Sequence, residues 1–281
     1  MTLGPATHRA AGSGDLRLHF RRDGARTRLV ERTHHGPLLV QKPFYPEGDG
    51  CCHAILVHPP GGICGGDELH IAAQLETGAK ALITTPGATK WYRSGGVPAR
   101  QLIAFDLFDQ AIIEWLPQET IAFAGCEAQQ SLRVELGRGA AFTGLEVIAL
   151  GRTAAGERFD HGSFNTQVEI RRDRRLLWFE RSELSAESGI LHSVVGLAGH
   201  NNFGQLVFVH EQVGEALVEA CRRAAPVGEL RAAVTHMPEV LLARCLAPSA
   251  RLARQWLITI WQAVRHHMYG ATAHTPRIWA T

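Results

Sequence analysis

LRLHFRR, residues 16–22, puts Leu16, Leu18 and Phe20 on one side of an extended chain and Arg17, His19 and Arg21 on the other. Successive side chains of a strand point to opposite faces, so this spacing predicts a half-buried β-strand. Similar short runs follow: PLLVQ from 37, HAILVH from 53, LHIAAQL from 69 and AKALITT from 79. Then come QLIAFDLF from 101, QAIIEWL from 110, SLRVEL from 131, FTGLEVIAL from 142, FNTQVEI from 164, LLWFERS from 176 and FGQLVFVH from 203. Turn signals such as EGDG, TPGAT, RSGG and GRGA lie between them. Many short strands at near-regular spacing, with no helix between them, predict an all-β body. The connections are too short for βαβ crossovers.

The pattern changes after about residue 210. EQVGEALVEACRRAA (211–225) suits a helix. SARLARQWLITIWQAVRHHM (249–268) is a stronger one. Leu252, Trp256, Leu257, Ile260, Trp261, Val264 and Met268 recur at three- and four-residue steps and form one apolar stripe. Ser249 after Pro248 is placed to cap its start, and Gly270 to stop it. Residues 1–15 read as a flexible arm without the apolar core of a signal peptide, and 16–281 as a single β-rich domain with these two helices.

The 281 residues are 45% hydrophobic, enough for a sizeable core. A net charge of +2, from 29 basic and 27 acidic residues, lacks the bias of a nucleic-acid binder. No run is long and apolar enough to span a membrane. Six cysteines without a CxxC do not suggest a disulfide framework, and reduced thiols point to the cytoplasm.

HPPGGICGGD, residues 58–67, is the densest local motif. A phosphate loop needs GxxxxGK[ST], but none of the chain's three lysines (Lys42, Lys80, Lys90) follows a suitable loop. A hydrolase or nucleotide-dependent enzyme would rest on this turn alone. His58, Cys64 and Asp67 are metal ligands by type, but no HExxH, CxxC or HxH spacing joins them. His34–His35 and His266–His267 are adjacent pairs whose rings diverge on a strand or helix. Cys126 and Cys245 sit in apolar surroundings, while Cys51–Cys52 beside a glycine-rich turn reads as exposed and oxidisable. The stretch is best read as a tight corner between the strands at 53 and 69.

A subtler signal is acids inside apolar strands: Glu146 in FTGLEVIAL, Glu180 in LLWFERS, and Glu114 and Glu119 around IIEWLPQE. A buried carboxylate costs several kcal/mol unless it is paired, hydrated or bound to a cation. Either alternation turns these acids outward or a nearby arginine (Arg152, Arg181) pairs with them, or they line a hydrated interior path suited to a divalent cation.

HPPGGICGGDEL, TTPGATKWYRSGG, EWLPQETIAF, GLEVIALGR, GERFDHG and the terminal PRIWAT, in this order, resemble the urease accessory protein family UreD, called UreH in some organisms. The matching blocks run from about QKPFYPE at 41 to the last residue. The resemblance implies a β-helix-like stack of mostly antiparallel strands with a small C-terminal helical part. It implies a non-enzymatic maturation factor that binds apo-urease and UreF and through UreF recruits the GTPase UreG, in a dimeric assembly built through UreF. It implies no tightly bound cofactor, only nickel in transit through an internal tunnel. Carried over by block, Asp67, Glu146 and Glu180 are the expected tunnel carboxylates, and Thr84, Thr85, Lys90 and Tyr92 are structural or tunnel-adjacent. The family commonly has an aliphatic residue where Cys64 stands, which argues against Cys64 as a family nickel ligand. Weak, scattered oxygen ligands suit a protein that must release nickel, since nickel prefers nitrogen and sulfur donors.

Overall fold

The computed structural model describes residues 12–224 and 228–280. In chain order the strands are β1 (Ser13–Asp23), β2 (Arg26–His35), β3 (Leu39–Val40), β4 (Cys52–Val57), β5 (Glu68–Leu75), β6 (Lys80–Thr84), β7 (Thr89–Trp91), β8 (Ala99–Leu107) and β9 (Ile112–Trp115). They continue with β10 (Thr120–Ala122), β11 (Glu127–Leu136), β12 (Ala141–Leu150), β13 (Ser163–Arg172), β14 (Arg175–Ser185), β15 (Asn202–Val209), β16 (Arg231–Met237) and β17 (Val240–Ala247). Two α-helices complete the set, α1 (Glu215–Arg222) and α2 (Ala250–Tyr269). The first strand already begins at Ser13, inside the stretch expected to be an arm; residues 1–11 lie outside the described residues.

The strands form two stacked sheets. One has seven strands in the order β14-β13-β11-β8-β5-β1-β2; the other has ten, with the path β16-β17-β15-β12-β9-β6-β4-β3, with β10 beside β12 and β7 beside β10. From β4 to β13 the chain coils. Each turn lays one strand in the ten-stranded sheet and the next in the seven-stranded sheet, so β4, β6, β9 and β12 run parallel, as do β5, β8, β11 and β13. This corrects the expectation of mostly antiparallel strands. The mainly β stack with a small helical part is present, but the sheets are mixed, and among the described residues nine of the fifteen strand pairings are parallel. Short connections exclude a helical crossover within one sheet. They allow parallel pairing when the return path is a strand in the other sheet. Antiparallel hairpins finish the ends: β1–β2 at one, β13–β14 and β15–β17–β16 at the other.

HPPGGICGGD is the corner that carries the chain from β4 to β5 across the two sheets. Gly65 lies so close to Ser94 that a Cβ would meet its carbonyl oxygen at 2.1 Å, and Gly66 has a left-handed φ of +85°. Neither position admits an ordinary side chain.

The register stacks like residues into rows. Ile71, Ile103, Leu132 and Val168 align across the seven-stranded sheet, as do Ala73, Phe105, Val134 and Ile170. These rows meet Ile113, Phe142, Val207 and Val209 of the other sheet in one core. The opposite face of the ten-stranded sheet forms a second core with the helices. There Leu145, Leu206 and Phe208 pack on Leu217 and Val218 of α1 and on Trp256, Leu257, Ile260 and Trp261 of α2. Each such side chain contributes about 1.5–3 kcal/mol by leaving water. Helix α2 starts as its sequence predicts: the Ser249 hydroxyl accepts from Leu252 N at 3.3 Å, and Gly270 ends it in the left-handed conformation. Helix α1 is shorter than predicted, starting at Glu215; residue 225 of the expected span lies outside the described residues. The C-terminal Trp279 is docked, its Nε1 donating to Thr84 Oγ1 at 2.8 Å, with the Arg254 guanidinium 4.3 Å from its ring centre. Among the described residues no helix is long and apolar enough to cross a membrane.

Candidate functional site

One row between the sheets is polar. On the seven-stranded sheet Gln101 of β8, Gln130 of β11, Thr166 of β13 and Ser182 of β14 stand side by side. On the ten-stranded sheet Glu146 of β12, Gln205 of β15 and Arg244 of β17 do the same. In β12 the even positions Phe142, Ile148 and Leu150 enter the core between the sheets, while Leu145 and Val147 face the helices. Alternation therefore turns Glu146 inward, not outward. Gly144, one step earlier on the same side, leaves the room that the Phe142 ring occupies: a Cβ there would meet Phe142 Cζ at 2.7 Å.

Two cavities meet at this row. The first, about 310 Å³, runs between the sheets from Leu56, His58 and Lys90 past Gln101 and Gln130 to Glu146. The second, about 560 Å³, continues from Glu146 to Glu180, Arg244 and the segment around Val195. Glu146, Thr166 and Gln205 border both.

The carboxylate at the junction is held by amides. Gln130 Nε2 donates to Glu146 Oε1 at 2.6 Å. Burial raises the Glu146 carboxyl to about 7, the Gln130 and Gln205 amides work against that rise, and the negative charge of Glu180 adds to it. Glu180 accepts from Arg244 Nη2 at 2.5 Å through Oε1. Its Oε2 is enclosed and has no hydrogen-bond partner among the described residues. The nearby arginines named from sequence serve other acids: Arg152 pairs with Glu157, and Arg181 with Glu183.

The other expected site residues fall elsewhere. Asp67 lines neither cavity. Its Oδ1 accepts from Gly12 N at 3.0 Å and its Oδ2 from Cys64 N at 2.8 Å, so it fastens the corner to the start of the first strand. His58, read as structural, borders the first cavity, and burial lowers its pKa against the charge of Asp67. Cys64 is exposed. Thr85 and Lys90 border the first cavity, while Thr84 donates to Leu116 O at 2.5 Å and Tyr92 packs edge-on against Phe123. Cys51–Cys52 is not an exposed pair: Cys52 is buried, Cys51 is partly covered, and burial pushes both thiols up. His34, His35, His266 and His267 are exposed.

Glu114 of β9 is the compensated acid. It faces the helices and accepts from Trp261 Nε1 at 2.8 Å, Arg265 Nε at 2.9 Å and Arg265 Nη2 at 2.9 Å. Glu119 lies beyond the end of β9, where its charge opposes the lowering of Arg254 by burial.

The sequence reading missed Gln101, Gln130, Thr166, Gln205 and Arg244. Each is a polar residue at an inward position of its strand, so marking the inward phase of every strand would have found them. The row offers carboxylate and amide oxygens in an enclosed space, a donor set for a divalent cation held without thiolate or imidazole at the junction. Cys245 borders the second cavity, but burial pushes its thiol up to about 12, against a backbone hydrogen bond from Gly204, which disfavours the thiolate.

The chain matches the family model described as UreD urease accessory protein over residues 12–280. It is similar to the urease accessory protein UreD of Pseudomonas fluorescens (strain Pf0-1), with 47% identity over 95% of this chain and 94% of that relative. It is 46% identical to the urease accessory protein UreD 2 of Pseudomonas syringae pv. syringae (strain B728a), again over 95% of this chain and 94% of the relative. With the urease accessory protein UreD of Dechloromonas aromatica (strain RCB) it shares 42% identity over 98% and 96% of the two chains. By a match that spans nearly its whole length and by these identities, the chain belongs to the UreD family of urease accessory proteins.

Proposed function

We propose that this chain is a non-enzymatic maturation factor for urease that carries nickel along the polar row between its sheets. In this reading it works in the cytoplasm, binds apo-urease and UreF, recruits the GTPase UreG through UreF, and forms a dimeric assembly through UreF. Membership of the urease accessory family supports the maturation role. The observation that carries the transit role is Glu146, an acid at the meeting point of two cavities with amides around it and no cation of its own among the contacts described.

The geometry suits cargo better than a resident ion. Glu180 with its free Oε2 stands in the wider cavity, and Glu146 with the Gln130, Gln205 and Thr166 oxygens stands at the junction. Oxygen donors hold nickel less tightly than a histidine and cysteine cage does, so the ion leaves as readily as it enters. With the Glu146 carboxyl at about 7, its negative charge develops as the pH rises through neutrality, and transit gains with pH over that interval. Arg244 opposes entry by its charge on Glu180 Oε1, and Oε2 is the oxygen left for an incoming cation.

The same contact favours a second reading, a structural adaptor without a nickel path, because it supplies Glu180 with a cation. The two readings part on Glu180→Ala in cells that express urease with its accessory proteins and are supplied with nickel. Transit predicts urease with a several-fold lower nickel content and an undiminished complex with UreF. Normal nickel content with an undiminished complex supports the adaptor. Fully active urease in cells lacking this chain contradicts both.

A further inference from the structure

Behind the ten-stranded sheet, on the face away from the cavities, three different donor types converge. The donor atoms of Glu47, Cys51 and His53 all lie within 4.8 Å of one another. The local chain explains why. Residues 41–51 fold back on β4 through a bridge in which Phe44 and His53 exchange both backbone hydrogen bonds, at 3.2 and 2.9 Å. That clamp closes a short loop carrying Glu47 and Cys51, and the Phe44 ring meets the His53 ring edge-on at 5.4 Å.

We propose that Glu47, Cys51 and His53 form a binding site for a borderline divalent metal ion, of the nickel or zinc type. The proposal is independent of the transit reading, because His53 faces α2 while Glu146 faces the other sheet.

Four features support it. The set mixes one oxygen, one sulfur and one nitrogen donor, the combination that selects nickel or zinc over magnesium or calcium. Metal–ligand bonds of about 2.0–2.3 Å place neighbouring donors roughly 3–4 Å apart, close to the spacing present. The Glu47 Oε1 to His53 Nε2 contact, at 2.7 Å, has to open, because the ion replaces the proton between them. Second, His53 is fully buried and presents Nε2 toward Glu47, so an ion held there would be shielded from solvent.

Third, the carboxylate is already oriented. Glu47 Oε2 accepts from Arg265 Nη1 at 2.5 Å, which leaves Oε1 toward the histidine. Ligating carboxylates are commonly held in this way by a group outside the ligand set. Fourth, the local charge leaves room for a cation. Two carboxylates, Glu47 and Glu114, share the single guanidinium of Arg265. Three protein ligands leave a further position for water.

The test is cobalt titration of the purified full chain carrying Cys64→Ser, which removes the exposed thiol. One equivalent of cobalt(II) should produce a near-ultraviolet thiolate-to-metal band, displaced by nickel or zinc; whichever competes at the lower concentration is the preferred ion. Adding Cys51→Ser should abolish the band and weaken nickel binding at least tenfold, with thermal unfolding unchanged. Adding Glu146→Gln should leave the band intact, which separates this site from the cavity row. No band in the Cys64→Ser chain, or a band that survives Cys51→Ser, overturns the proposal. X-ray absorption of the nickel-loaded Cys64→Ser chain gives a second readout: one sulfur neighbour is expected, and a shell without sulfur overturns the site.

Discussion

Glu114 and Glu146 stand on neighbouring strands of the same sheet and point to opposite faces. Both interrupt apolar sequence, and both are enclosed by the fold. Glu114 receives three N–H donors, two of them from the Arg265 guanidinium. Glu146 receives amides, and the charge that acts on it is that of another acid, Glu180. The difference separates two uses of a buried carboxylate. On the helix face the acid ties α2 to the sheet. Between the sheets the charge is left uncompensated, in a space that a cation can enter.

The largest effect should come from breaking the compensated side. Arg265→Met strands Glu114 and Glu47 without their cation and should cost about 3–5 kcal/mol in denaturant unfolding. A loss below about 1 kcal/mol would remove the contrast.

The uncompensated side should behave in the opposite way. Folding lifts the Glu146 carboxyl from 4.5 to about 7, so the folded chain binds this proton more tightly than the unfolded chain. Stability therefore falls as the pH rises from about 4.5 to 7 and stays low above it. Glu146→Gln, which mimics the neutral acid, should gain about 1–3 kcal/mol at pH 8 and almost nothing at pH 4.5. Equal effects at both pH values would mean that the acid is hydrated like a surface group.

Asp67 sharpens the comparison with a smaller effect. Its two oxygens accept backbone N–H groups, so Asp67→Ala should cost about 1–2 kcal/mol and Asp67→Asn, which keeps one acceptor, about half as much. Thermal unfolding of the pair checks this. Equal losses would show that charge rather than hydrogen bonding holds the corner.

Much of the architecture was legible in the sequence. Period-two runs located most of the coil strands, and the stripe with Ser249 and Gly270 located α2 almost to the residue. Strand direction was not legible, because alternation is the same in parallel and antiparallel sheets and the return path through a second sheet leaves no local mark. The β16–β17 hairpin was missed: it turns at Pro238 and Glu239, the latter with a left-handed φ of 68°, without the glycine that usually signals such a turn. At the site the acids Glu146 and Glu180 were legible as polar breaks in apolar strands. Their partners Gln130 and Arg244 were not, because cross-strand and cross-sheet neighbours depend on register, and sequence proximity pointed to Arg152 and Arg181 instead. Asp67 was placed with Glu146 only by the resemblance; it stands in the corner outside both cavities, and its oxygens meet backbone N–H groups.

The transit claim rests on the charge of Glu146 rather than its shape, and Glu146→Gln removes the charge while keeping the size. The direct measurement is the nickel content of urease purified from cells in which this variant replaces the wild-type chain, with its complex with UreF assayed in parallel. The account predicts a several-fold lower nickel content with an undiminished complex. Urease loaded with nickel to the wild-type level would contradict it.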